Sequence, residues 1–398
     1  MSQAILLGMG SCVDAEVQWD ADALSELASQ WQVDAGMGVE HEPVISSTRA
    51  LVQRIVDCLR RGAGGEWHVD DPVILTQVSA HFATRVSLGG SNVRAAIALD
   101  RLGRRSTVHL AHVDDQVREL LPRSVEYLHH ESAAPSYPHL IVQYPQGAVI
   151  EIGGMTLTAP RANRLIFVHD PANSELRVAP DFGEAAAHAR LIMISGFNTI
   201  ESEDLLRRRI EELIEYLRAR PADAMVVYED AAFHHDERRA VITRRLAAEV
   251  DLWSMNEDEV AAYLNMPFDP LDATAVDRAA RSLRAHLGVR TVIVHSGEWA
   301  LAHGDVSGLT PALELGVKAA TARYVHGDQW NVTDFRRFPC PGPEDGGAVL
   351  ADRIEALGGG HTAVVPVPQV QAQDPTTIGL GDTFLGGLLA GLALARDV

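Results

Sequence analysis

Short, almost wholly apolar runs rich in Val, Ile and Leu recur along the chain, and longer stretches of helical pattern separate them. The candidate strands are 4–7, 107–111, 191–195, 225–229, 252–255, 291–295 and 363–367, with helices at 92–102, 202–218, 257–264 and 275–287 among those between them. A strand that is apolar on consecutive residues must be covered on both sides, because successive side chains point to opposite faces. Such strands alternating with helices predict an α/β fold: a doubly wound, mostly parallel sheet with helices on both faces. The N-terminal half has a second texture, in which shorter strands alternate with turns. It predicts one α/β domain over 1–398 with a smaller β-rich lid, inserted discontinuously at about 14–42, 66–86 and 137–168. The stretch 327–347, with Pro339, Pro341 and Pro343, predicts a long surface loop.

The 398 residues include 34 Lys and Arg against 54 Asp and Glu, a net charge of −20. This balance argues against a general binder of nucleic acid or anionic membrane, since phosphate contacts need a positive field. An anionic substrate in a local pocket is compatible with it. No apolar run approaches the roughly 18–20 residues that span a bilayer. The start lacks a basic segment and reaches Gly8 too soon for a leader. Cys12, Cys58 and Cys340 are odd in number and lack C-x-x-C spacing, so neither a disulfide frame nor a zinc site is expected. The plain expectation is a reduced, cytoplasmic protein of open oligomeric state. Lys318 is the only lysine, and it follows no glycine-rich loop, which excludes a P-loop. Any bound phosphate must be met by arginines, backbone amides and a metal.

The residues just after each strand bear on function, because ligands of open α/β sheets sit outside the carboxyl ends of the strands. The run at 225–228 ends in Glu229, that at 252–255 in Asn256-Glu-Asp-Glu259, and that at 191–194 in Ser195-Gly-Phe-Asn198. Acids gathered there suit Mg²⁺ or Ca²⁺, which prefer oxygen ligands. Taken singly, the same acids serve equally well as helix caps.

Near the C-terminus stands Gly379-Leu-Gly381-Asp382, followed by Gly386-Gly387 and an apolar helical run to Ala395. Glycines at 379 and 381 let successive N–H groups point into one concavity at the start of a helix, where the dipole favours an anion. Asp382 places a carboxylate base beside that anion hole, an arrangement suited to phosphoryl transfer. A dinucleotide fingerprint fits poorly. The third glycine here falls at Gly386 with no room for a following βαβ unit, and after the first strand Gly8-Met-Gly10 has Val13 at the third-glycine position.

Gly379-Leu-Gly-Asp382 resembles the G-x-G-D signature of the ribokinase superfamily, and the rest of the chain resembles its ADP-dependent glucokinase/phosphofructokinase branch. The matching pieces are Gly8-Met-Gly-Ser-Cys-Val-Asp14, Gly89-Gly90-Ser-Asn-Val-Arg-Ala-Ala, His139-Leu-Ile-Val-Gln-Tyr-Pro-Gln-Gly147 and Ala159-Pro-Arg-Ala-Asn163-Arg164. Further along come Ile194-Ser-Gly-Phe-Asn198, Met255-Asn-Glu-Asp-Glu259, Val294-His295-Ser and Pro366-Val-Pro. They run in order over nearly the whole chain. The resemblance implies a ribokinase-like fold and transfer of the β-phosphate of ADP to a sugar hydroxyl, with AMP released. Asp382 would be the base, and the Gly379, Leu380 and Gly381 turn would steady the developing charge. Asp14, Gly89, Gly90, Ser91, Asn92, Glu66 and Gln143 would face the sugar. Arg164, Asn163, Asn198 and His295 would face the nucleotide, and Glu229 and Glu259 would hold Mg²⁺. Lid closure would keep water from the reaction.

The pattern departs from the family in places, chiefly among the sugar-facing parts. A His-x-Glu element becomes Val227-Tyr-Glu229, Ser11 and Cys12 replace asparagines ahead of Asp14, Ser91-Asn92 follows the glycine pair, and Gln143 stands where Glu is common. Glucose is the first choice of acceptor. The segment 143–147 has no cation for a sugar phosphate, and Glu66 either repels one or is a solvated loop acid. Rival readings are fructose 6-phosphate as acceptor, ATP as donor, a sugar or nucleoside kinase of the same fold, and a regulator that binds sugar or nucleotide with little turnover. The pairs His234-His235-Asp236 and His129-His130-Glu131 have ligand-like spacing, but solvated helix ends account for them.

Overall fold

The computed structural model describes residues 4–36, 39, 44–131, 133–231, 233, 236–338, 346–372, 376 and 378–396. His234, His235 and Cys340 lie outside the described residues. Two compact units form, one of Met1–Ser11, Gly90–Ala133 and Asn173–Val398, the other of Cys12–Gly89 and Ala134–Ala172.

The larger unit is built on a nine-stranded sheet among the described residues. Its order is Thr362–Pro366, Trp299–Gly304, Thr291–His295, Leu252–Asn256, Met225–Glu229, Ala189–Ile194, Ala4–Gly8, Thr107–Leu110 and Glu126–His129. Every neighbouring pair is parallel except the two made by Trp299–Gly304, which runs against both of its neighbours. The expected mostly parallel α/β sheet is therefore present. Leu191 to Ile194 are all buried, as are Val226 to Glu229 and Leu252 to Met255, so both faces of these strands are covered. Two strands were not expected: Trp299–Gly304 carries His303 and follows a Ser-Gly-Glu turn, and Glu126–His129 is a polar edge strand. His129 thus lies in a strand rather than at a helix end.

Helix boundaries follow local chemistry. Ser202 caps Glu203–Leu217 and Asp272 caps Ala273–Leu287, each accepting from a first-turn N–H. The last helix, Leu380–Ala395, is apolar almost all round and packs against Thr310–His326 and Ser91–Arg101. Glycines let it come that close: a Cβ on Gly387 would run into the Leu315 carbonyl and Gly316, and one on Gly386 into Ala95 and Ala98. The expected long loop at 327–347 is instead partly helical. Gly327–Gln329 is a short 3₁₀ turn, and Asn331 caps the helix Val332–Arg337 through a reciprocal box with Asp334.

Among the described residues, the smaller unit holds a six-stranded sheet in the order Val44–Ile45, Gly65–Val69, Asn163–Val168, His139–Tyr144, Cys12–Val17 and Thr84–Gly89, together with the hairpin Val149–Ile152/Met155–Thr158. Where strands and turns were expected at 14–42 and 66–86, helices Ala21–Gln30 and Pro72–Ser79 form. Asp20 and Asp71 cap them, and Leu24, Leu27 and Ala28, or Ile74, Leu75 and Val78, recur at helical spacing to fill the core. The unit also takes in residues 43–65, with the helix Thr48–Arg61. Alternate residues of the sheet (Val17, Val69, Leu140, Val142, Tyr144, Leu165 and Phe167) share one hydrophobic cluster with these helices. The opposite sheet face mixes polar side chains with Ile141, Ile166 and Val168.

Candidate active site

In the larger unit, Gly379 has φ +66°, in the left-handed region, and stands at the N-cap of Leu380–Ala395, with no side chain among the described residues capping the helix. The first-turn amides of Leu380, Gly381 and Asp382 lack an acceptor within the helix, as at any helix start. Two buried arginines lie at this turn. The Arg94 guanidinium packs against Gly379, so that a Cβ there would collide with it, and its Nε is 3.9 Å from Asp382 Oδ2. Arg323 donates from Nε to the Ile378 carbonyl at 2.7 Å. Burial and the nearby Arg94 push the Arg323 pKa down, while Asp328 opposes them. Asp382 itself is a quarter exposed, so the carboxylate can be reached.

Glu229 ends the strand Met225–Glu229 and is 5% exposed. Its Oε1 pairs with His295 Nε2 at 3.0 Å, while the buried Oε2 has no hydrogen-bond partner among the described residues. Burial opposes a charged His295, but Glu229 outweighs it and raises the ring's pKa. Glu259 forms a capping box with Asn256, each side chain accepting from the other's backbone N–H at 2.9 Å. The bland and functional readings of Glu259 therefore coexist. Burial first, then Asp230 and Glu229, push its pKa up to about 8. Asp230 is raised to about 6 by burial, although Tyr263, the Ala231 amide and Trp253 donate to it. The buried Glu229 Oε2 is an oxygen donor of the kind that fits a hard divalent cation such as Mg²⁺, with the half-buried Glu259 as its acidic neighbour.

Beside the turn lies a cavity of about 360 Å³. Ala320, Tyr324, Val367, Val370 and Phe384 give it an apolar wall, and His295 and Gly381 line it as well. A Cβ on Gly381 would touch the His295 ring, so glycine keeps that approach open. Asn198 follows the strand Ala189–Ile194 and is half-buried, as is Ser91 at the start of Ser91–Arg101.

In the smaller unit, register collects the polar groups. Cys12, Asp14 and Glu16 pair with Gly89, Ser87 and Arg85 on one side, and Asp14 and Glu16 with His139 and Ile141 on the other. Gln143 pairs with Arg164, and Glu66 with Ile166. All these residues share the face opposite the hydrophobic cluster. Asp14, Glu66, Gln143, Gly89 and Arg164 are thus brought onto one surface, with Arg164 exposed. Glu16 is buried there, accepting from Arg85 at 2.5 Å and from Ser87 Oγ at 3.0 Å. His139 bonds Asp170 through Nε2 at 2.9 Å. Burial disfavours its charged form, yet Cys12 and Asp170 hold its pKa well above the usual value.

Two expected ligand-facing asparagines are structural ties. Asn92 is fully buried and its amide donates to the carbonyls of Gly10 and His109, both at 2.7 Å. Asn163 donates to the Gly62 carbonyl at 3.0 Å and accepts from the Arg164 amide. Arg94, Arg323, Asp230, His139 and Asp170 were not singled out from sequence. Arg94 and His139 lie inside quoted motifs, but nothing in spacing says that an arginine four residues past Gly90 reaches Asp382.

The family model for the ADP-specific Phosphofructokinase/Glucokinase conserved region matches residues 3–322 and so ends before the Gly379 turn. The ADP-dependent glucokinase of Bos taurus is 24% identical over 267 residues, 64% of this chain and 51% of the relative. The matched segment thus spans about half the length of that curated relative. Among solved structures, a hypothetical ADP-dependent phosphofructokinase from Pyrococcus horikoshii OT3 gives a TM-score of 0.76 at 19% identity, covering 100% of this chain and 99% of the other. An ADP-dependent kinase in complex with fructose 6-phosphate and ADPβS gives 0.75 at 16% identity, over 100% and 95%. The fold is therefore the ribokinase-like α/β fold of these kinases.

Proposed function

Because the chain belongs to the ADP-specific phosphofructokinase and glucokinase family, we propose that it is a sugar kinase transferring the β-phosphate of ADP to a sugar hydroxyl. The observation that carries this reading is the uncapped turn at Gly379, which sets helix-start amides, Arg94 and the accessible Asp382 carboxylate together. In this reading Asp382 accepts the proton of the attacking hydroxyl. The new O–P bond forms at the β-phosphorus of ADP as the bond to the bridging oxygen breaks, and AMP leaves. The amides of Leu380, Gly381 and Asp382 stabilise charge on the phosphoryl oxygens, and Arg94 adds a fixed positive charge. Glu229, with its unpartnered Oε2, and Glu259 would hold Mg²⁺, which when bound supplies charge neutralisation on the phosphates. The 360 Å³ cavity would take the adenine nucleoside, its apolar wall suiting a base and its size falling within the usual range for ligand pockets.

The β-rich unit, read as the lid, would carry the acceptor-facing groups: Asp14, Glu66 and Gln143 on the face opposite its hydrophobic cluster and Gly89 at its edge. Glu66 favours a neutral sugar, so glucose is the first acceptor to try. Arg85 and Arg164 stand on the same face and sustain fructose 6-phosphate as the second reading. The deciding assay offers ADP and ATP separately, with Mg²⁺, against glucose and fructose 6-phosphate, and separates the nucleotides by chromatography. AMP that appears only with ADP and one sugar supports the donor, the reaction and that acceptor together. Nucleotide binding without consumption under any pairing would overturn the kinase reading in favour of a regulator.

A further inference from the structure

Cys12, Asp14 and His139 offer three different ligand atoms, all within 4.8 Å of one another, in the only such group among the described residues. Cys12 Sγ lies 3.4 Å from Asp14 Oδ1, and His139 Nδ1 lies 3.8 Å from the same oxygen. A tetrahedral Zn²⁺ with Zn–S of about 2.3 Å and Zn–N or Zn–O of about 2.0–2.2 Å sets its ligand atoms about 3.3–3.6 Å apart. These two spacings lie within a few tenths of an ångström of that geometry, and the third is no more than 4.8 Å. A carboxylate can only accept, so the 2.9 Å bond to Asp170 puts a proton on His139 Nε2 and turns Nδ1 toward Asp14. This is the carboxylate–histidine arrangement that orients a metal-bound imidazole.

Glycine on the neighbouring strand lets the Asp14 and Cys12 side chains lie over its backbone. Gly89 stands directly opposite Cys12, and a Cβ on it would overlap both Asp14 Oδ2 and Cys12 Sγ. Asp14 and His139 are buried, while Cys12 is half-buried, so solvent can supply a fourth ligand. The sequence led us to expect no zinc site, because its three cysteines are odd in number and lack C-x-x-C spacing. The third ligand comes from a strand distant along the chain. We propose that Cys12, Asp14 and His139 bind one thiophilic divalent cation, Zn²⁺, with Asp170 positioning His139. On binding, the thiol proton passes to solvent as the S–Zn bond forms. If Asp14 also contacts the acceptor, which rests on the kinase reading above, metal and sugar compete for it.

The full-length protein, stripped with a chelator, would be titrated with Co²⁺ and with Zn²⁺ against a chromophoric chelator. One equivalent of Co²⁺ should produce a thiolate-to-cobalt charge-transfer band in the near ultraviolet. Cys12→Ser should lose that band and bind Zn²⁺ at least 100-fold more weakly, and Asp170→Asn should weaken Zn²⁺ by about 10–100-fold. Matching thermal unfolding of each variant and the native protein in chelator separates lost ligation from lost folding. Absence of the thiolate band in the native protein, or equal Zn²⁺ affinity in a folded Cys12→Ser protein, overturns the site. In kinetics, Zn²⁺ should raise the apparent KM for the sugar in the native protein, and this dependence should vanish in Cys12→Ser. A cobalt band without competition supports the metal site and counts against Asp14 as an acceptor ligand.

Discussion

The two units collect their polar groups in different ways. In the larger one, Glu229, His295 and Asn256 stand at the carboxyl ends of parallel strands, and Asp382 opens a helix. Topology alone makes such positions converge. The smaller unit draws Cys12, Asp14, Glu16, His139 and Gln143 from within its strands, where antiparallel and parallel register brings them side by side on one face. The first arrangement tolerates little change, because the helix carrying Asp382 is wedged against backbone at Gly386 and Gly387. The second can exchange one side chain for another on an unchanged sheet. Of the departures from the family pattern, Gln143 and Cys12 fall there and Ser11 just ahead of it, while Val227 and Ser91-Asn92 belong to the larger unit. On the proposed reading, transfer chemistry would rest on the packing of one unit and acceptor recognition on the surface of the other.

Four substitutions would break or sharpen this contrast. The largest effect is expected for Asp382→Asn, which should lower turnover by about 10²–10⁴-fold while leaving nucleotide affinity, measured by calorimetry, nearly intact. Turnover close to native would end the assignment of Asp382 as base. Next comes an acid effect confined to the larger unit. His109 is fully buried, accepts from the Ala179 amide at 3.1 Å, and has its pKa lowered to about 4 by burial. The folded state therefore binds fewer protons than the unfolded chain between about pH 6.5 and pH 4. Stability from this group is present above that window and is lost as pH falls through it, by about 3 kcal/mol in all. Urea unfolding across the window should show the slope in the native protein and a shallower one in His109→Gln.

Arg94→Met should cost about 10²-fold in kcat, as loss of one charge-stabilising group does elsewhere. If KM for ADP rises instead and kcat holds, Arg94 binds the ground state and adds nothing to the transition state. Smallest is Gly387→Ala, where the new methyl meets the Leu315 carbonyl. Overpacking there should destabilise the protein by about 1–3 kcal/mol in denaturant titration. An unchanged midpoint would show that the two helices can move apart, and the rigid–adaptable contrast between the units would fall with it.

Much of this was legible along the chain. The buried strands announced a covered parallel sheet through consecutive apolar residues, and Gly379-Leu-Gly-Asp382 announced an anion site, because both are local patterns with a local physical cause. Helices Ala21–Gln30 and Pro72–Ser79 escaped notice, although their capping aspartates and apolar spacing were present. Both are short and sit among strand-like segments, where the two periods are hard to separate. The asparagines at 92 and 163 could not be sorted from sequence either, since a buried amide that ties two carbonyls and one that faces a ligand look alike in a motif.

The order of strands and helices, the glycine-framed turn and the acids at the strand ends were determined by the sequence alone, through pattern and propensity acting over a few residues. Only the tertiary structure decided that Arg94 reaches Asp382, that Glu229 Oε2 is buried without a partner among the described residues, and that Cys12, Asp14 and His139 come together beside Gly89. Those contacts depend on register and on close helix packing. Both are fixed by long-range burial, and a one-residue slip in register would send Glu229, Cys12, Asp14 or His139 to the other face of its strand.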